Sequence, residues 1–226
     1  MSVRMEVLAD RGAIVARAVE IAQELSQEAI AARGRFAVVL AGGSTPKPVY
    51  ETLATLNLPW DKWHVFWGDE RYVPPTDSQS NAGMARAAWL DRVPIPAANI
   101  HPIPTDEADP VVAAARYEQT LRAWDGPLDL VWLGMGDDGH TASLFPHTAA
   151  LAETQKWVTV GYKGEEPRIT LTYPVLLAAR QVVFLVEGAK KAPALQAVLG
   201  EGDPDTYPAR RFRDHALWLC DRQAAG

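Results

Sequence analysis

Apolar residues recur at Ile14, Ala18, Ile21 and Leu25, with Val15, Ala22 and Ala29 beside them, at spacings of three, four and seven. That period predicts a helix over 13–32 with one buried face. Short apolar runs at Phe36 to Ala41, Trp63 to Trp67 and Leu128 to Leu133 predict buried strands, and Ile169 to Thr172, Gln181 to Val186 and Ala216 to Leu219 add three more. Helices are expected between them, over Pro46 to Leu56, over Asn81 to Leu90 behind a Ser80 cap, over Ala189 to Leu199, and from Asp109-Pro110 to Trp124. In the last, aspartate is the N-cap and proline takes the first helical position. The first strand falls at Phe36, so residues 1–35 contribute one helix. Polar and proline-rich loops are expected over Val73 to Ser78 and Gly200 to Pro208. Strands alternating with helices predict an α/β fold, a mainly parallel open sheet with helices on both faces. No repeat or linker interrupts 1–226, which predicts a single domain.

Composition narrows the function more than the fold. With 48 % hydrophobic and 22 % charged residues the chain matches ordinary globular proteins. One cysteine, Cys220, leaves no intramolecular disulfide and fits a reducing, cytoplasmic compartment; its place on an apolar run reads as a small buried hydrophobe. No apolar run reaches membrane-spanning length, and the N-terminal residues show no secretory pattern. A net charge of −6 without a basic run argues against nucleic acid. An anionic small molecule would need positive charge concentrated locally.

That chemistry gathers behind three strands. Gly42-Gly43-Ser44-Thr45-Pro46 follows the first, Gly68-Asp69-Glu70-Arg71 the second, and Gly134 to His140 the third. Ligands of open α/β sheets bind beyond the carboxyl ends of the strands, so the three clusters are expected to converge on one crevice. The Gly42 corner, with Ser44 or Thr45 as the cap, is a candidate phosphate site at a helix start. It has neither Walker nor G-x-G-x-x-G spacing, which removes support for a nucleotide there. Arg71 suits a carboxylate or a developing oxyanion. Side chains adjacent along the Asp69-Glu70-Arg71 run point in different directions, one into the crevice and another supporting it. His140, beside Asp137 and Asp138, is the candidate general base. His64 reads as a core or face residue, and His101 and His215 as surface residues. No H-x-x-x-H, H-E-x-x-H or C-x-x-C spacing supports a metal site.

These segments resemble the 6-phosphogluconolactonases, relatives of the glucosamine-6-phosphate deaminases. The resemblance covers most of the chain. It rests on Leu40 to Pro46, Gly68 to Pro74 with Ser80-Asn81, Gly134 to Pro146, Pro167 to Thr172, and Gly188-Ala189-Lys190-Lys191, in that order. It implies a NagB-like (Rossmann-like) fold and hydrolysis of 6-phospho-D-glucono-1,5-lactone, the second step of the oxidative pentose phosphate pathway. It implies no metal, no organic cofactor and no obligate protein partner. His140 would be the base, with Asp138 or Asp69 orienting it or helping to hold the sugar. Gly42, Gly43, Ser44, Thr45, Arg168 and Lys191 would hold the phosphosugar, and Arg71 would line the same pocket. Lys191 is preferred to Lys190 because it completes G-x-x-K from Gly188. Two residues depart from the family pattern: Ala41 where serine is frequent, and His147 where glycine is common, which adds a second imidazole near the loop.

A glucosamine-6-phosphate deaminase or isomerase is the alternative. Deaminases carry Asn-Glu-Pro after the histidine, and Ser143-Leu144-Phe145-Pro146 has no carboxylate there. A sugar-phosphate-sensing regulator would need a DNA-binding segment, which residues 1–35 do not offer.

Overall fold

The computed structural model describes residues 3–226. Six strands form a parallel sheet in the order β1-β9-β8-β5-β2-β3. They are β1 (Arg4–Leu8), β2 (Phe36–Leu40), β3 (Trp63–Trp67), β5 (Leu130–Gly134), β8 (Gln181–Val186) and β9 (Leu217–Asp221). β2 is buried at all five positions, as a central strand covered on both faces should be. Helix α1 (Arg11–Arg33) starts at an Asp10 cap and ends at Gly34, whose φ of 73° lies in the left-handed region that favours glycine. Also observed are α2 (Lys47–Leu53), α3 (Asn81–Ala88), α4 (Pro110–Ala123), α5 (Tyr173–Leu177), α6 (Ala192–Leu199) and α7 (Arg222–Ala225). Asp109 and Ser80 cap α4 and α3 through their side chains, as expected.

Helices lie on both faces of the sheet, and β1 shows it directly. Glu6 accepts a bond from Arg17 of α1 at 3.0 Å, whereas neighbouring Met5 lines a groove with Pro193 and Leu195 of α6 and Ala224 of α7. Adjacent strand residues point to opposite faces, so α1 and α6 flank the sheet from opposite sides.

Three expectations need correction. The first strand is β1, not Phe36 to Ala41; Arg4–Leu8 is an edge strand and mostly exposed, so it lacks a core strand's apolar run. The Ile169 to Thr172 strand belongs to a second, antiparallel sheet, ordered β4-β7-β6 and formed by β4 (Asp69–Arg71), β7 (Glu166–Leu171) and β6 (Val158–Lys163). His101 is half-buried rather than on the surface: its ring stacks on Phe66 at 4.5 Å and faces His64 at 5.7 Å.

Burial, then the neighbouring His101 and Arg35, push the His64 pKa down to about 4. The native state therefore binds fewer protons than the unfolded chain below about pH 6.5. Stability is fully present above that pH and is lost as the pH falls toward 4. His64→Phe is expected to flatten this loss, read as the change in Tm between pH 7 and pH 4.5.

Two buried tyrosines fix the strand ends that matter for the site. Tyr50 Oη donates to the Ala41 carbonyl at 2.7 Å, beneath the Gly42 corner. Tyr117 Oη accepts from Trp67 N at 2.7 Å and donates to Trp67 O at 3.0 Å, just before Gly68. Each such bond contributes about 1 kcal/mol and costs more if left half-made.

Candidate active site

A cleft of about 260 Å³ opens at the carboxyl ends of β2, β3, β5 and β8. From β2 the chain winds toward β3, and from β5 toward β8, so strand order reverses between β2 and β5. The cleft sits at that switch point, where the two diverging connections leave a gap. All three polar clusters contribute to its wall.

At the first corner Gly43 has φ of 99°, and a Cβ on Gly42 would sit 1.9 Å from Asn81 Oδ1. Any side chain at 42 would thus drive Asn81 out. Neither Ser44 nor Thr45 caps the helix; α2 begins after Pro46 without a side-chain cap. Ser44-Thr45-Pro46 instead form a turn whose residues line the cleft. The amides of Gly43, Ser44 and Thr45 donate to no acceptor among the described residues. These donors and the two hydroxyls are suited to an anion.

The second cluster is sorted by strand alternation. Asp69 and Arg71 of β4 line the cleft, while Glu70 turns the other way. Glu70 is buried and accepts from the amides of Arg71, Asn81 and Ala82 at 2.7–2.8 Å and from Ser80 Oγ at 3.1 Å. It ties the start of α3 to β4. Burial pushes its pKa up against those bonds. On β7, Arg168 stands directly across from Arg71, and Thr170 across from Asp69. Two like charges opposite one another in a ladder repel, which favours an anion between or beside them. Arg168 is buried, and its Nε has no hydrogen-bond partner; the exposed Glu166 accepts from its Nη2 at 3.3 Å.

The third cluster builds the imidazole's setting. Gly136 N donates to His140 O at 2.9 Å, closing a tight turn, and Asp138 Oδ1 lies 2.6 Å from His140 Nδ1. That bond places the proton on Nδ1 and leaves Nε2 as the basic nitrogen. It also holds the Asp138 carboxyl at a pKa of about 2. A Cβ on Gly136 would fall 2.1 Å from His140 Nδ1, so only glycine leaves room for the ring. Phe145 packs on the imidazole at 4.6 Å. Asp138 itself does not line the cleft, whereas His140 does. Gly134, Gly136 and Gly139 match the spacing of a dinucleotide fingerprint. The turns that follow lead to no helix N-terminus, so the element that would hold a pyrophosphate is missing.

Lys191 enters from the turn after β8 and lines the cleft; Lys190 is exposed and does not. Asp69 does not reach the imidazole by any recorded bond. Its Oδ2 accepts from the fully buried Ser143 Oγ at 2.7 Å, and Asn81 Nδ2 donates to its main-chain oxygen at 2.9 Å. His147 is turned away from the cleft, toward Asp205 and Arg211. Sequence reasoning missed Asn81, Ser143 and Glu187 as contributors. Asn81 follows the Ser80 cap directly and belongs to a segment that carries the resemblance, but with no role in the cleft assigned to it. Among the described residues no three His, Cys, Asp or Glu side chains cluster as metal ligands do.

Comparison with known proteins gives the family and the fold. A family described as glucosamine-6-phosphate isomerases/6-phosphogluconolactonase matches residues 9–219. A 6-phosphogluconolactonase of Nostoc sp. is 51 % identical, over 99 % of this chain and 98 % of its own. The crystal structure of 6-phosphogluconolactonase from Thermotoga maritima superposes with a TM-score of 0.87 at 33 % identity, covering 97 % of this chain and 99 % of that one. A monomeric glucosamine-6-phosphate deaminase has the same TM-score at 20 % identity over 98 % of both chains, a likeness of fold alone. With its cleft at the switch point and its sequence matched from residue 9 to 219, the chain belongs to the glucosamine-6-phosphate isomerase/6-phosphogluconolactonase family.

Proposed function

We propose that this chain hydrolyses 6-phospho-D-glucono-1,5-lactone to 6-phospho-D-gluconate, acting as one domain in the cytoplasm. The observation that carries the reading is an Asp138-held imidazole opening onto the same cleft as Arg168, Lys191, Ser44 and Thr45. The lactonase names of the full-length relatives support the substrate.

His140 Nε2 takes a proton from water as the water oxygen bonds to lactone C1. Charge develops on the carbonyl oxygen and is met by Arg71 or by cleft amides. The C1–ring oxygen bond then breaks, and the imidazolium returns its proton to the departing oxygen, which becomes the sugar hydroxyl. Asp138 stays ionised throughout and stabilises the imidazolium. Phosphate held by the Gly42–Thr45 turn, Arg168 and Lys191 fixes C1 relative to His140. Asp69 positions the wall of the cleft through Ser143 and Asn81 rather than orienting the base.

The deaminase reading is separated by assay. Freshly generated lactone is expected to be consumed well above its spontaneous rate, with no ammonia released from glucosamine 6-phosphate. Robust ammonia release with spontaneous-rate lactone decay would reverse the assignment.

A further inference from the structure

The cations of the cleft are not equally committed. Arg71 donates to the Gln79 carbonyl, and Arg168 reaches only exposed Glu166. Lys191 has a close carboxylate: its Nζ lies 2.7 Å from Asp137 Oδ1. Glu187, four residues before Lys191 and also lining the cleft, is engaged elsewhere, by Arg11 Nε at 2.6 Å. Asp137 sits between Gly136 and Asp138 on the turn that carries His140, with 61 % of its side chain exposed. A turn-stabilising aspartate accepts from a nearby amide. Asp138 does so, from His140 N at 3.1 Å. Asp137 accepts no such bond among the described residues, so its carboxylate serves Lys191 rather than the turn.

We infer that Asp137 is an internal stand-in for the substrate's phosphate. In the free enzyme it neutralises Lys191, and an arriving phosphate dianion displaces it. This rests on the phosphate role proposed above for Lys191. An exposed ion pair is weak, so a dianion that also meets Arg168 and the Ser44 turn wins the exchange. The same exchange runs backward with product: Asp137 retakes Lys191 and shortens the residence of phosphogluconate. Asp137 thereby weakens every phosphate ligand by the strength of the pair and keeps product inhibition low.

The test is competitive inhibition by inorganic phosphate and by 6-phosphogluconate, measured on wild type, Asp137→Asn, Lys191→Met and the double variant. Asp137→Asn is expected to tighten both inhibitors about two- to five-fold, the size of an exposed pair. The gain should vanish in the Lys191→Met background, because the pair no longer exists to be broken. Persistence of the full gain without Lys191 would overturn the inference, since Asp137 would then act only as a repelling charge. No gain in the single variant would overturn it as well. If Lys191→Met alone leaves both inhibition constants unchanged, the phosphate role of Lys191 itself fails, which is a separate result. Asp137→Glu, keeping the charge, should restore inhibition constants toward wild type.

Discussion

His140→Ala is expected to lower kcat for the lactone by about 10²–10⁴-fold, the range that a positioned general base supplies. KM should move little, because the groups assigned to the phosphate are all elsewhere in the cleft. The imidazole has its apparatus to itself: Asp138 on Nδ1, Phe145 on one face, and a glycine at 136 that gives it space. No neighbouring side chain is placed to take over, since Asp69 is bonded to Ser143 and His147 faces another cavity. Asp138→Asn should give a smaller loss. An amide can hold the ring but cannot stabilise the imidazolium, and it allows the other tautomer. The measurement is a continuous assay on freshly generated lactone, corrected for spontaneous opening. His140 is partly exposed, so Tm should stay near wild type and a lost rate cannot be blamed on unfolding. Near-normal turnover by His140→Ala would remove the base from the mechanism.

The legible parts of this protein are those in which chemistry is contiguous in sequence. Gly134 to His140 follows an apolar strand and is read at once, because imidazole, carboxylate and permissive glycines lie within one turn of chain. Lys191, which the resemblance prefers to Lys190 through its G-x-x-K spacing from Gly188, lines the cleft, and Lys190 does not. The Asp69-Glu70-Arg71 run was expected to split between crevice and support, and the side that each residue takes is visible only once β4 is paired with β7. What sequence could not show are contacts made by topology. Ser143 meets Asp69 across 74 residues, and Arg71 faces Arg168 in a small antiparallel sheet that no local periodicity announces. β1 escaped for a related reason: an edge strand covered only in part needs no apolar run. The expected Ser44 or Thr45 cap failed because the turn extends to Pro46, leaving both hydroxyls free for the cleft.

Arg168→Met is expected to change binding and stability in opposite directions. The Arg168 side chain is only 10 % exposed, its Nε is unpartnered, and its one acceptor, Glu166, is 71 % exposed and 3.3 Å away. Arg71 stands across the ladder with the same charge. A desolvated cation so poorly compensated is a net burden on the fold, and an apolar chain of similar length should fit at least as well. Tm of the unliganded variant should therefore rise. Phosphate reverses the balance, because it supplies the missing acceptors. Hydrogen bonds to charged groups contribute about 1.5–3 kcal/mol. Losing them should raise KM for the phosphorylated lactone about 10- to 150-fold, with a much smaller effect on kcat. Thermal shift gives a second reading that is independent of turnover. Wild type at phosphogluconate concentrations near 100 times Kd should gain about 2.7 kcal/mol of stability. Arg168→Met at the same concentration should gain only about 0.3–1.4 kcal/mol, the range that a 10- to 150-fold weaker Kd leaves. A variant that melts lower than wild type without ligand would show that the guanidinium holds the fold, and an unchanged KM would move the phosphate anchor away from β7.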